Sequence, residues 1–392
     1  MALRPFSSHP IVMPVCVGLL LGGVPGRVLA VKPAVHSVTG FDEMAEGDAQ
    51  GTGLASHGAV VLAPEVVPVA ALPAGPVLAV VVDAQGTTFA AMATPGRVVA
   101  VDAKGVVKTL LEVDKPVVPA LALDGKGALY AATSPEGEVL RVDLRTGKSE
   151  PFWRTEEAKH LWALAHDGTH LWVATGEPGA VFKVDAKGQA TRVAEKLLQD
   201  KLFRSLAVRP GGQGVVVGGG RKGVVWAVDA KGAAYAVHDA SLEEVTSLAV
   251  RADGAIAAAL VANDGKAEGP DGLLGPSEAG TSADDAAPRD TKASEVVVVF
   301  PGGEARRVWR GKKDSAYAVA FVDKQGLLVG TGARGRLYHV DLTTRLITLL
   351  TQVDSNRVTA MHPTPRGILL GLSHAPALAL SPPGLARQGV YL

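Results

Sequence analysis

Cysteine is almost missing from this chain of 392 residues. Cys16 is the single thiol, and it lies inside an apolar run near the N-terminus instead of following it, as a lipid-bearing cysteine would. The rest of the chain therefore has no residue for a disulfide, for thiolate catalysis or for a cysteine-ligated metal, and stability has to come from core packing. An excess of either charge is missing too. The 39 basic residues balance the 39 acidic ones, which removes the electrostatic footprint of a nucleic-acid binder or a polybasic membrane protein. No G-x-S-x-G elbow or comparable nucleophile motif is found. Aromatic residues are scarce at 5%, but hydrophobic residues reach 47%, so apolar surface is ample and disorder of the whole chain is excluded.

The apolar run from Ile11 to Val24 contains Pro14, follows Arg4 and precedes Val28-Leu29-Ala30. It is shorter than the roughly 20 helical residues a bilayer requires. A charged start, an apolar centre and small residues at the cleavage positions read as a secretory signal, cut after Ala30. The expected plan is a signal peptide over 1–30, a linker over 31–50 and one folded domain over 51–392. The mature chain has no transmembrane span, and its destination is the periplasm or the exterior.

The folded part repeats itself. Val101-Asp102-Ala103-Lys104-Gly105 recurs verbatim at 184–188 and 228–232, with looser copies at Val142-Asp143-Leu144-Arg145 and Val340-Asp341-Leu342-Thr343. The aspartates at 102, 143, 185 and 229 are spaced 41, 42 and 44 residues apart, the period of a four-stranded propeller blade. Leu206-Ala207-Val208-Arg209 returns 42 residues later at 248–251. Turns around Gly86, Gly127, Gly168, Gly212, Gly254, Gly326 and Gly367 follow the apolar strands and count seven blades. After each turn comes a strand ending in small residues, such as Ala131-Ala132-Thr133, Val173-Ala174-Thr175 and Val329-Gly330-Thr331, as fits the crowded place where blades converge. The repeated Asp-x-x-Gly is read as a hairpin turn, because Asp caps local backbone and Gly accepts positive φ. The fold class is thus all-β, a seven-bladed β-propeller of four-stranded antiparallel blades. The last blade runs from Thr359 through Leu380, with Gly389 to Leu392 as the candidate to complete it. The segment from Gly53 to Pro64 is expected to close the ring by pairing with that blade, which removes an exposed edge.

This repeat grammar, over residues 51–380, resembles that of secreted bacterial propellers of the WD-repeat-like, NHL-like and quinoprotein-like group. Val-Asp stands here where WD repeats carry Trp-Asp. The resemblance implies a fold, and it implies no single function, since the group includes both enzymes and scaffolds.

One irregularity stands out in blade five. Asp229 and Phe300 lie 71 residues apart, about 29 more than one blade. The excess, at 262–294, is rich in Gly, Pro, Asp, Ala and Ser and reads as a disordered loop joining the second and third strands of that blade. That position puts it on the face bearing the blade-to-blade connections, the usual binding face.

Four groups of residues invite chemistry. Two literal G-x-G-x-x-G strings, at 218–223 and 330–335, fall between strands of a blade, where no helix N-terminus can meet a phosphate, so no dinucleotide cofactor is expected. His160, His166 and His170 are close in sequence, but the repeat sends His160 to one end of blade three and the other two to the opposite end. Asp264, Asp271, Asp284 and Asp285 in the insertion lack calcium-loop spacing; no metal is expected. The remaining group is a basic one: Arg204, Arg221, Lys222, Lys312, Lys313, Arg334, Arg336 and Arg357 are all assigned to the top face of blades four to six, interrupted by Glu243 and Glu244. Guanidinium forks there suit carboxylate, phosphate or acidic glycan.

A non-enzymatic binding or scaffold propeller of the cell envelope is therefore the leading expectation. It has no cofactor, is a monomer, and takes a protein or glycan partner on its top face. The alternative is a hydrolase or lyase resembling lactonase-like propellers, with a divalent ion in the central channel. The matching channel-mouth positions then read Pro119, His160, Arg204, Val245, Ala316 and Val358, where carboxylates are missing. A third option, the sensor part of something longer, is left open by the sequence.

Overall fold

The computed structural model describes residues 40–47, 51–262, 293–332, 334–353, 355–373 and 376–381. The expected signal peptide, most of the 262–294 insertion with its four aspartates, and the segment from Gly389 to Leu392 lie outside the described residues.

Each blade begins with two largely apolar strands; the second is buried because it faces neighbouring blades on both sides, while the inner strands of blades four, five and seven are mostly half-buried. The inner strands are Val77–Val82, Val117–Leu123, His160–His166, Phe203–Val208, Glu244–Val250, Ala316–Phe321 and Arg357–Thr364. The second strands, such as Thr88–Met92, Ala128–Ser134 and Gly326–Thr331, are buried along their whole length. Outer strands such as Ser149–Arg154 are largely exposed, as polar edge sequences allow. All pairing within the blades is antiparallel, and the strands fall into seven sheets. Each inner strand packs on the next, including the last against the first. The ring is closed, and the chain is a seven-bladed β-propeller.

Small residues mark the seams. The second-strand positions Ala91, Ala132, Ala174, Gly218, Ala259, Gly330 and Gly371 pair with Ala79, Ala120, Ala163, Ser205, Ser247, Ala318 and Ala360 of the inner strands. A Cβ at Gly330 would meet Val358, and one at Gly371 would meet Val77 and Val80, in each case on the next blade. Hydroxyls tie the seams further. Ser205 Oγ donates to the Val245 carbonyl at 3.0 Å, Thr246 Oγ1 to that of Ala316 at 2.8 Å, and Thr359 Oγ1 to that of Val77 at 2.5 Å.

The repeated aspartates are turn residues. Oδ1 of Asp102, Asp185 and Asp229 each accepts two main-chain N–H bonds, at 2.8 and 2.9 Å, from the residues two and four positions on. Asp83 and Asp124 do the same.

The N-terminal part departs from expectation. After a single helical turn, α1 (Phe41–Met44), come β1 (Thr52–Ala55), β2 (Val60–Leu62) and β3 (Val67–Ala71). The segment from Gly53 to Pro64 does not pair with the last blade. Its β1 adds to the outer strand of blade six, Leu54 opposite Leu349, and β2 follows as a sixth strand. Ring closure belongs to β3, which is the outermost strand of blade seven. Leu54 joins the apolar cluster of Leu349 and Tyr338, which fixes the hairpin on blade six. The strand that follows steps to the neighbouring blade, where Pro68 is tolerated because that strand is an edge.

Candidate functional site

Inner strands run away from the blade-to-blade connections, so their first residues surround the top of the ring. Every inner strand is bulged near that end, and six of the bulges isolate one residue: Leu78, Trp162, Arg204, Thr246, Tyr317 and Thr359. In blade two the shift spans Val118 and Pro119. A bulge inserts one residue and re-aims its side chain. The expected mouth positions Val245, Ala316 and Val358 are consequently one residue out of frame; all three are fully buried in the core. His160 is two residues before the bulge in blade three.

Two pairs of a cation over an aromatic ring result. The Arg204 guanidinium lies 5.0 Å from the Trp162 ring centroid, and its Nη1 is 2.9 Å from Glu244 Oε1 on the following inner strand. Arg357, expected within blades four to six, opens the inner strand of blade seven, and its guanidinium lies 4.7 Å from the Tyr317 ring of blade six. Beside Trp162, His160 is buried and its Nδ1 is 2.7 Å from Ser134 Oγ; burial holds its imidazole below the usual range. Trp162 and Tyr317 were invisible to the repeat frame, although an aromatic residue beside the first small residue of an inner strand is a signal that could have found them.

The other basic residues separate into two places. Arg221 and Lys222 occupy the turn after the second strand of blade four, where the Arg221 main-chain N–H donates to Asp200 Oδ2 at 3.3 Å. Lys312, Lys313, Arg334 and Arg336 converge between blades five and six around a cavity of about 350 Å³, also lined by Trp309, Asp314 and Tyr338. Arg336 is buried. Its Nη1 donates to Asp314 Oδ2 at 3.2 Å, and Tyr338 Oη donates to the same oxygen at 2.7 Å. Burial and the Asp314 charge push the Tyr338 phenol well above its ordinary pKa. Residues 41–46 lie across this pocket. Lys312 Nζ pairs with Asp42 and Lys313 Nζ with Glu46, Arg336 Nη2 donates to the Ala45 carbonyl, and Arg334 Nη1 donates to the Glu46 carbonyl at 3.3 Å. The hydrogen bond and charge of Lys313 hold the Glu46 carboxyl below its usual range.

Both glycine strings start at the end of a second strand and stop before the third, in blades four and six. His160 and the pair His166 and His170 sit at opposite ends of blade three. Among the described residues, no three His, Cys, Asp or Glu side chains gather to hold a metal ion.

No protein-family model matches the chain, and comparison with curated proteins finds no match. Solved structures do resemble it. Hydrazine synthase of Kuenenia stuttgartiensis is 15% identical with a TM-score of 0.60, covering 81% of this chain and 97% of that one. The β-propeller domain of Cps50 (Swd1) from Myceliophteria thermophila is 12% identical with a TM-score of 0.56, covering 81% and 99%. The extracellular domain of the putative one-component system BT4673 from B. thetaiotaomicron is 14% identical with a TM-score of 0.58; 81% of this chain matches 40% of that one. At these identities the likeness shows the seven-bladed fold and nothing finer.

Proposed function

We propose that this protein is an exported, non-enzymatic binding propeller of the cell envelope, which engages a protein or glycan partner through its top face. The observation that carries the reading is the pair of guanidinium-over-ring contacts at bulged positions of the inner strands, Arg204 with Trp162 and Arg357 with Tyr317. A flat cation backed by an aromatic ring is preorganised for carboxylates and for the faces of sugars or peptides. Export is supported by the leader-like residues 1–30, and by the likeness in fold to the extracellular domain of BT4673. Among the described residues no helix is long and apolar enough to cross a membrane. Arg221 and Lys222, in the turn after the second strand of blade four, extend the surface available to a partner. The protein acts as a monomer without a cofactor.

Capture from an envelope extract tests this reading, with the wild type compared against an Arg204→Ala/Arg357→Ala variant. A partner retained by the wild type and lost by the variant supports it. Capture that ignores both substitutions, or turnover of a small molecule with no capture, contradicts it.

A further inference from the structure

Between blades five and six the ring is covered by a piece of chain that belongs to no blade. Phe41 and Ala45 line the cavity, with Phe41 packed on the cluster that holds Trp309 and Tyr338, while Asp42 and Glu46 reach the two lysines at its rim. Each group that a short acidic peptide offers is met by a complementary one: carboxylates by Lys312 and Lys313, main-chain carbonyls by Arg334 and Arg336, an aromatic ring by Trp309 and Tyr338.

The attachment is weak at the surface and incomplete beneath it. All four side chains of the two ion pairs are more than half exposed, where such pairs are screened by salt and contribute little. Below them, Asp314 and Arg336 are each 4% exposed, yet Asp314 Oδ1 and Arg336 Nε have no hydrogen-bond partner. One carboxylate oxygen and one guanidinium N–H of this pair are thus left unsatisfied, and a peptide group offers both complements, an N–H for the carboxylate and a carbonyl for the guanidinium.

We infer that the pocket between blades five and six is a docking site for an acidic peptide segment carrying an aromatic residue, and that residues 41–46 are its internal occupant, displaced when such a partner binds. The inference rests on the reading of the top face as a binding surface and names the partner's chemistry. A segment tethered beside its own site has an effective concentration on the order of millimolar. A ligand displaces it either by reaching that concentration or by making better use of the pocket through Asp314 and Arg336.

The probe is a fluorescein-labelled peptide with the sequence of residues 40–47, titrated by fluorescence anisotropy into the full-length protein and into a Phe41→Ala/Asp42→Lys/Glu46→Lys variant that frees the pocket. The variant is expected to bind about tenfold more tightly than wild type, or better. Adding Lys312→Glu and Lys313→Glu, or replacing the peptide's acids with lysine, is expected to abolish binding. Hydrogen exchange in the wild type gives a readout that does not depend on the variant's folding: millimolar peptide should speed exchange at residues 40–47. Equal affinity of the two proteins, no binding by a folded variant, or unchanged exchange overturns the inference. So does a variant that dimerises and ignores the peptide, since the natural occupant would then be a second copy of this chain. In each of those cases, envelope capture that still depends on Arg204 and Arg357 leaves the proposed function standing.

Discussion

At Gly218 a methyl group would lie 2.2 Å from Ser205 Oγ and 2.6 Å from Val245 Cβ. Val245 is a β-branched side chain with no room to move, on the inner strand of the next blade. Gly218→Ala is therefore expected to cost about 1–3 kcal/mol by overpacking the seam. Gly302→Ala, at a position with open space around it, should be nearly neutral; chemical denaturation of the two variants separates them. Burial also acts on titration. It holds the imidazoles of His160, His166, His339 and His362 below the ordinary value. A base with a lowered folded pKa binds its proton more readily in the unfolded chain, so stability is full above the unfolded value of about 6.5 and is lost as pH falls below it. The thermal midpoint should drop between about pH 7 and pH 5, before carboxylates such as Asp253, held down at about 2 by hydrogen bonds from Arg251, begin to titrate. His362→Leu should flatten that slope in calorimetry; a midpoint independent of pH over this window would contradict the account. At this scale the sequence revealed what is local. The role of the repeated aspartates follows from turn chemistry within five residues. The bulges that aim Trp162 and Tyr317 depend on pairing with a strand more than ten residues away, and so escaped a reading by position.

Hairpins are the element that repeats, and their cost can be measured. Asp229→Ala removes the acceptor of the Lys231 and Ala233 amides. The loss should be about 1 kcal/mol, seen as a lower denaturant midpoint with an unchanged slope. Asp102→Ala and Asp185→Ala should match it, because their hydrogen bonds are the same. The second-to-third strand turns on the top face have their own device. Thr133, Thr175 and Thr331 each donate to the carbonyl of the residue five positions on, which explains why small strand ends in the repeat finish on threonine. The terminal elements were the least legible part. Nothing within Gly53 to Pro64 or within β3 states which blade receives it, since both pair with strands about three hundred residues further along the chain. The apolar Leu54 and the edge-tolerated Pro68 are consistent with their places, but each acquires its meaning only once the ring is built.

For the whole molecule, the period of the aspartates and the count of seven glycine turns were enough to give blade number and strand order. The site was legible only in part. The basic residues named from the repeat as one group divide among the mouth, the blade-four turn and the pocket under residues 41–46. Each group meets its own acidic residues: Glu244 beside Arg204, Asp314 beside Arg336, Asp42 and Glu46 beside the two lysines. All of these placements presuppose one closed ring, in which β3 completes blade seven and the last inner strand packs on the first. Ala71 and Ala377 are opposite each other in that closure, at a separation that suits a disulfide. The most direct measurement is therefore oxidation of an Ala71→Cys/Ala377→Cys protein in a Cys16→Ser background, followed by mass spectrometry and thermal melting. The closed ring predicts near-complete cross-linking within one chain and a raised melting temperature, as does Ala55→Cys/Thr348→Cys for β1 on blade six. Failure of the 71–377 pair to cross-link in a folded protein would contradict the closure, and with it the mouth and the pocket that the ring assembles.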